Sequence, residues 1–159
     1  MINLGSQRTY ITTYERIDLC FKKKTRTPGE ARVFFRNLGL RSIDIIPNNE
    51  TGWCRTDVLS GIINYIVENI EDFSQSLPHR ISVERPKENV FRIMDTLDNI
   101  RIDVWNYKLS STITIDVCID DSSTITLNSK NYNTYKLIVD NILFNTLEII
   151  LYNEYRRLY

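Results

Sequence analysis

The chain has 159 residues, 42% hydrophobic and 25% charged, with 20 basic and 20 acidic side chains and a formal net charge of zero. That length and mix suit one globular domain with a single core and exclude a disordered tail. A neutral balance gives no bulk attraction to nucleic acid or anionic membrane, so either partner would need a local patch.

The opening stretch, MINLGSQRTY, lacks a basic segment followed by an apolar run, so no signal peptide is expected. No run of about 18 apolar residues appears, so no spanning helix is expected. Cys20, Cys54 and Cys118 are widely spaced and odd in number, which suits a reducing, cytoplasmic setting better than a disulfide framework. The 22 Ile, 15 Asn and single Ala point to an AT-rich genome, such as that of a large DNA virus, a phage or a low-GC microbe.

The alternation in residues 9–21 predicts a strand, followed by the charged loop Lys22-Lys23-Lys24-Thr25-Arg26. Thr27 as N-cap, Pro28 at the first helical position and Glu30 at the capping-box position predict a helix over 27–38, with a strand as the competing reading. Residues 41–47 read as a short strand closed by Pro47. Residues 56–74 form the clearest amphipathic helix, with Leu59, Ile62, Ile63, Ile66, Ile70 and Phe73 on one stripe. Residues 80–85 read as a strand. Pro86 then opens a predicted helix over 86–99 with Val90, Phe91, Ile93, Met94 and Leu97 inward, although its VFRIM run also alternates. Residues 100–107, 112–120 and 123–128 predict a three-stranded antiparallel meander, and a long helix over about 133–157 ends the chain. With no linker or repeat, 1–159 is read as a single α+β domain. It is expected to have an antiparallel sheet of about five or six strands, helices on one face, and the long C-terminal helix as buttress.

Aspartates recur behind isoleucines in these strands. Ile100, Ile102 and Val104 share one face, and so do Ile113, Ile115, Val117 and Ile119, which leaves Asp103 and Asp116 on the wetter face. Two registers keep the apolar faces together. Residue numbers summing to 219 set Asp103 against Asp116; a sum of 217 pairs Arg101 with Asp116 and Asp103 with Thr114. Like charges directly opposite destabilise, so the second register is expected.

Few residues carry recognisable chemistry. His79 is the only histidine, which excludes two-His metal sites, and it falls in a loop. The five glycines form no phosphate-cradling motif. No cofactor is implied. A metal-dependent hydrolase would have to use Asp103, Asp116 and Asp120. A nucleic-acid surface would use Lys22, Lys23, Lys24, Arg26, Arg32 and Arg36.

The terminal helix is apolar around most of its circumference. Leu137, Ile138, Ile142, Leu147, Ile149 and Ile150 are expected to cover the sheet. Val139, Leu143, Phe144, Leu151, Tyr155 and Leu158 are then left over. Either the 56–74 helix covers that flank or another chain does, most simply a second copy in a homodimer. The interface candidates are Phe144, Leu151, Tyr152, Tyr155, Arg156 and Tyr159, because aromatic residues and Arg are enriched at interfaces. The polar stripe is not basic, which argues against a membrane surface. The expected function is a non-enzymatic protein-interaction domain, such as a viral or phage regulator or an inhibitor.

Overall fold

A computed structural model of the chain describes residues 47–48, 51–55, 57–68, 70–71, 77–107 and 112–158. The expected elements at 9–21 and 27–38 and the basic residues Lys22, Lys23, Lys24, Arg26, Arg32 and Arg36 lie outside them. Of the expected strand at 41–47, only Pro47 is described, and it is buried.

The fold is α+β. Strands β1 (Trp53–Arg55), β2 (Ile81–Lys87), β3 (Val90–Asp95), β4 (Ile100–Tyr107), β5 (Thr112–Ile119) and β6 (Ile125–Thr126) form one six-stranded sheet in the order β1-β5-β4-β3-β2, with β6 also paired to β5. All the pairings are antiparallel. Helix α1 (Asp57–Glu68) follows β1. The C-terminal helix has three parts: α2 (Tyr132–Ile138), a π segment (Val139–Phe144) and α3 (Asn145–Leu158).

Leu59, Ile62, Ile63 and Ile66 are fully buried on α1, as their helical spacing requires. They meet Phe91, Ile93, Ile102, Val104, Ile113, Ile115 and Val117 from the sheet in one core cluster. Helix α1 packs on β4 and β5, and the π segment packs on β3 and β4, so the two helices lie on the same sheet face. One buried polar knot ties α1 to β4. Ser60 Oγ donates to Asn106 Oδ1 at 2.8 Å, and Asn106 Nδ2 donates to Ser60 O at 3.2 Å and Asn64 Oδ1 at 2.6 Å. All three residues are buried, and the bonds satisfy groups that would otherwise be costly there.

Residues 86–99 are a strand and a turn, not the expected helix. Pro86 lies inside edge strand β2, where the register shifts between Glu84 and Lys87. An edge strand at a bulge is where a sheet tolerates a residue without an N–H. Phe91 and Ile93 face the core, while Val90, Arg92 and Met94 take the other face. The alternation in VFRIM was therefore the true signal, and Pro86 marks a strand edge instead of a helix start.

The turns use left-handed backbone where short polar residues permit it. Asn99 has φ 52°, and Asp120 and Asp121 have φ 56° and 59°. Ser122 N donates to Ile119 O at 3.0 Å across the Asp120-Asp121 pair, the arrangement of a tight hairpin turn with φ > 0 at both central positions. Gly52 has φ +75°, and a Cβ there would lie 2.6 Å from Thr126 Cγ2 and 2.7 Å from Leu127 O, so glycine alone lets β1 approach the β6 segment.

The register between β4 and β5 sums to 219, not 217: Asp103 lies opposite Asp116, Trp105 opposite Thr114, and Tyr107 opposite Thr112. This leaves four residues, 108–111, between the paired ends. The expected register would have left only Lys108-Leu109 to make a two-residue turn. Such turns favour Gly, Asn or Asp because they need φ > 0.

In the C-terminal helix Val139, Leu143, Leu147 and Ile150 are fully buried, at intervals of four, four and three. Leu137, expected to face the sheet, is 73% exposed. It precedes Val139 by two positions, or about 200° around a helix. The π segment also buries three successive residues, Ile142, Leu143 and Phe144.

Candidate functional site

The expected acidic site is resolved by the sheet face opposite the helices. A row of side chains crosses five strands: Thr126, Asp116, Asp103, Arg92 and Glu84 stand opposite one another from β6 to β2. Arg92 Nε and Nη2 donate to the two carboxylate oxygens of Asp103 at 2.8 and 3.2 Å, and Nη1 donates to Glu84 at 3.2 Å. These carboxylates, that of Asp103 above all, hold the Arg92 guanidinium above its usual pKa. Arg101 Nε approaches Asp103 Oδ2 at 3.6 Å. Asp116 is held separately: Thr126 Oγ1 donates to its Oδ1 at 2.7 Å and Trp105 Nε1 to its Oδ2 at 3.0 Å. The two aspartates do face each other, but each already has its own donors. Asp120 is at the turn, its backbone N–H bonded to Asn99 O. Among the described residues no three His, Cys, Asp or Glu side chains are grouped to hold a metal.

A cavity of about 390 Å³ opens at the other side of the molecule, between the sheet's end and the C-terminal helix. Arg80 and Ile81 at the start of β2, Asp95 and Asp98 around the β3–β4 turn, and Ile100 of β4 form one wall. Ile138, Asn141, Ile142, Asn145, Thr146 and Ile149 form the other, at the three- and four-residue spacing of one helix flank. The flank runs through the π segment, a feature often found at functional sites. A mostly apolar concavity of this size with a few convergent polar groups fits the general form of a binding site.

The charges in this cavity are organised by the turn. Arg80 Nε donates to Asp95 Oδ1 at 3.1 Å, and Nη2 donates to Asp95 Oδ2 at 2.7 Å and to Asp98 Oδ2 at 3.0 Å. Asp95 Oδ1 also accepts the backbone N–H groups of Leu97 and Asp98, which fixes the turn. The Arg80 hydrogen bonds hold the Asp95 carboxyl below the usual carboxylate range, with the two amides adding to the effect. Exposed Leu97 and Leu137, at 72% and 73%, are next in the chain to Asp98 and Ile138 of the cavity wall.

Of the sequence-derived interface residues, Phe144 is 5% exposed and belongs to the core cluster, so it offers no outer surface. Leu151, Tyr152, Tyr155 and Arg156 fall within α3 with side chains outside the described set, and Tyr159 is outside the described residues. His79 is exposed beside Arg80. Cys54 and Cys118 are buried free thiols. Sequence reasoning missed the cavity because it placed Asp95 and Asp98 on a helix. Read as strand and turn, the MDTLDN stretch sets an Asx turn beside Arg80.

No protein-family model, curated protein or solved structure matches the chain in the three comparisons made.

Proposed function

We propose that the domain is a non-enzymatic protein-interaction module that docks a partner over the cavity between the β3–β4 turn and the C-terminal helix. One observation carries this reading: two large apolar side chains, Leu97 and Leu137, stand exposed next to residues of a mostly apolar concavity. Exposed apolar surface around a concave patch is characteristic of interaction sites. Arg80, Asp95, Asp103 and Asp116 are each engaged in ion pairs or hydrogen bonds that hold the sheet and its turns, which supports a binding role over acid–base chemistry.

The test is affinity capture with the wild-type chain and with a Leu97→Asp/Leu137→Asp double variant. Both sites are exposed, so the variant keeps its melting temperature. A stoichiometric partner retained by the wild type and lost by the variant is the expected result. Identical captured proteins from both would overturn the reading. Sedimentation of the same pair of proteins shows whether the partner is a second copy.

A further inference from the structure

The sheet face opposite the helices carries one polar atom that its own bonds do not use. Thr114 is 8% exposed, and its Oγ1 is buried without a hydrogen-bond partner. Trp53 of β1 and Trp105 of β4 lie directly opposite Thr114 on either side, and they are the two tryptophans of the chain. Residues directly opposite in antiparallel strands share a face, so the three side chains form a row across the sheet. Strands about 4.8 Å apart set the two tryptophan backbones roughly 10 Å apart across β5. A ring stacked on both sides needs walls about 7–8 Å apart, at a contact distance of about 3.5–4 Å on each side. One ring therefore fits between them, over Thr114. The two walls differ. Trp105 is held: its Nε1 donates to Asp116 Oδ2 at 3.0 Å, and the Lys87 ammonium lies 5.3 Å from its ring centroid. In the row Lys87 stands beyond Val90, on the side of Trp105 away from Thr114. Trp53 is on an edge strand and is 41% exposed.

We infer that this row is a recognition slot for a tyrosine side chain of a protein partner, independent of the docking function proposed for the cavity. The ring enters as Trp53 turns outward and stacks between the two indoles. Its hydroxyl then pairs with Thr114 Oγ1, since both groups donate and accept. A buried hydroxyl without a partner costs stability that a valine of the same shape would not, and an occupant of this kind removes that cost. The charges of the face favour a neutral ring. Arg92 is bonded to Asp103 and Glu84, Arg101 lies 3.6 Å from Asp103, and Lys87 is on Trp105. A nucleobase would bring phosphates that need cations to hold them, and these cations are already engaged. A phenylalanine ring would leave the Thr114 hydroxyl unpaired.

The experiment follows the tryptophan fluorescence of the full chain, excited where tyrosine does not absorb, during titration with N-acetyl-tyrosine amide. N-acetyl-phenylalanine amide is the control. A saturable change is expected, with tyrosine bound about fivefold more tightly than phenylalanine, the discrimination of one hydrogen bond. Thr114→Val keeps the side-chain shape and should bring tyrosine down to the phenylalanine level without weakening phenylalanine. Trp53→Leu, at an exposed position, should weaken both probes about three- to fivefold through the lost stacking face, read from the remaining Trp105. Equal binding of the two probes, a tyrosine preference that survives Thr114→Val, or no saturable change overturns the inference. Tighter binding of a single-stranded oligonucleotide than of tyrosine also overturns it, in favour of a base-stacking platform. None of these readouts involves Leu97 or Leu137, so the docking function stands or falls separately.

Discussion

Replacing Arg92 by Met tests why the sheet accepts two aspartates face to face. Asp103 is 7% exposed and lies directly opposite Asp116. Carboxylates roughly 5 Å apart repel by about 3 kcal/mol at an effective dielectric constant near 20. Arg92 offsets this with its two bonds to Asp103. Methionine keeps the aliphatic stem and removes the charge. Breaking a buried pair costs about 3–5 kcal/mol, and the Arg92 side chain is 26% exposed, so about 2–3 kcal/mol is expected. In urea unfolding that moves the midpoint down by roughly 1–1.5 M. The diagnostic step is Asp116→Asn in both backgrounds. In the wild type it costs about 0.5–1 kcal/mol, because an amide cannot accept from both Trp105 and Thr126 as the carboxylate does. In the Arg92→Met background it removes the repulsion and gains about 1 kcal/mol. The coupling energy is then about 1.5–2 kcal/mol. Additive effects, or an Arg92→Met cost below about 0.5 kcal/mol, would refute the argument that Arg92 is what permits this register.

Other perturbations follow from the same geometry. Gly52→Ala should cost about 2 kcal/mol or more, seen as a fall in melting temperature, because a Cβ at φ +75° meets the Leu127 carbonyl. Thr114→Val should raise stability by about 1 kcal/mol, since Thr114 Oγ1 is buried with no hydrogen-bond partner and valine keeps the shape. Asp95 sets an acid limb. Its folded pKa is depressed, so its contribution is full above the unfolded value near 3.9 and is lost as pH falls through the folded value. Melting scans from pH 6 to pH 2 should therefore be steeper at the acid end for the wild type than for Asp95→Asn, which starts lower at neutral pH. Parallel curves would contradict that assignment.

Much of the core was legible in the sequence. Period 3.6 placed Leu59, Ile62, Ile63 and Ile66 inside, and period 2 placed the isoleucines of β4 and β5 inside, because burial of apolar area dominates both patterns. Two misreadings share one cause. Residues 90–95 form β3, whereas reading Pro86 as a helix start puts them on a helix. That reading removes Arg92 from the position opposite Asp103, and without a neighbouring cation the like-charge register looks prohibitive. The same error hid the cavity, whose Asp95 and Asp98 belong to the turn after β3. The exposure of Leu137 was illegible for a different reason. In a helix apolar on most sides, sequence spacing does not say which of several stripes meets the sheet.

The two faces of the sheet therefore answer the same problem differently. On the helix side, water is excluded by isoleucine, and the only polar link from α1 to β4 among the described bonds, Ser60–Asn106–Asn64, is closed on itself. On the far side, Asp103, Thr114 and Cys118 are each less than a tenth exposed, so this face is far drier than an ordinary solvated strand face. A charge at such burial persists only when paired, which the Arg92–Asp103 bonds accomplish, while half-buried Asp116 is hydrogen-bonded by Thr126 and Trp105. Because those bonds engage both carboxylates and the guanidinium, the charged groups of this face hold neighbouring strands together. The cavity differs in that respect: its turn ties Asp95 and Asp98 to one Arg80 at an exposed rim, while its walls are largely isoleucine.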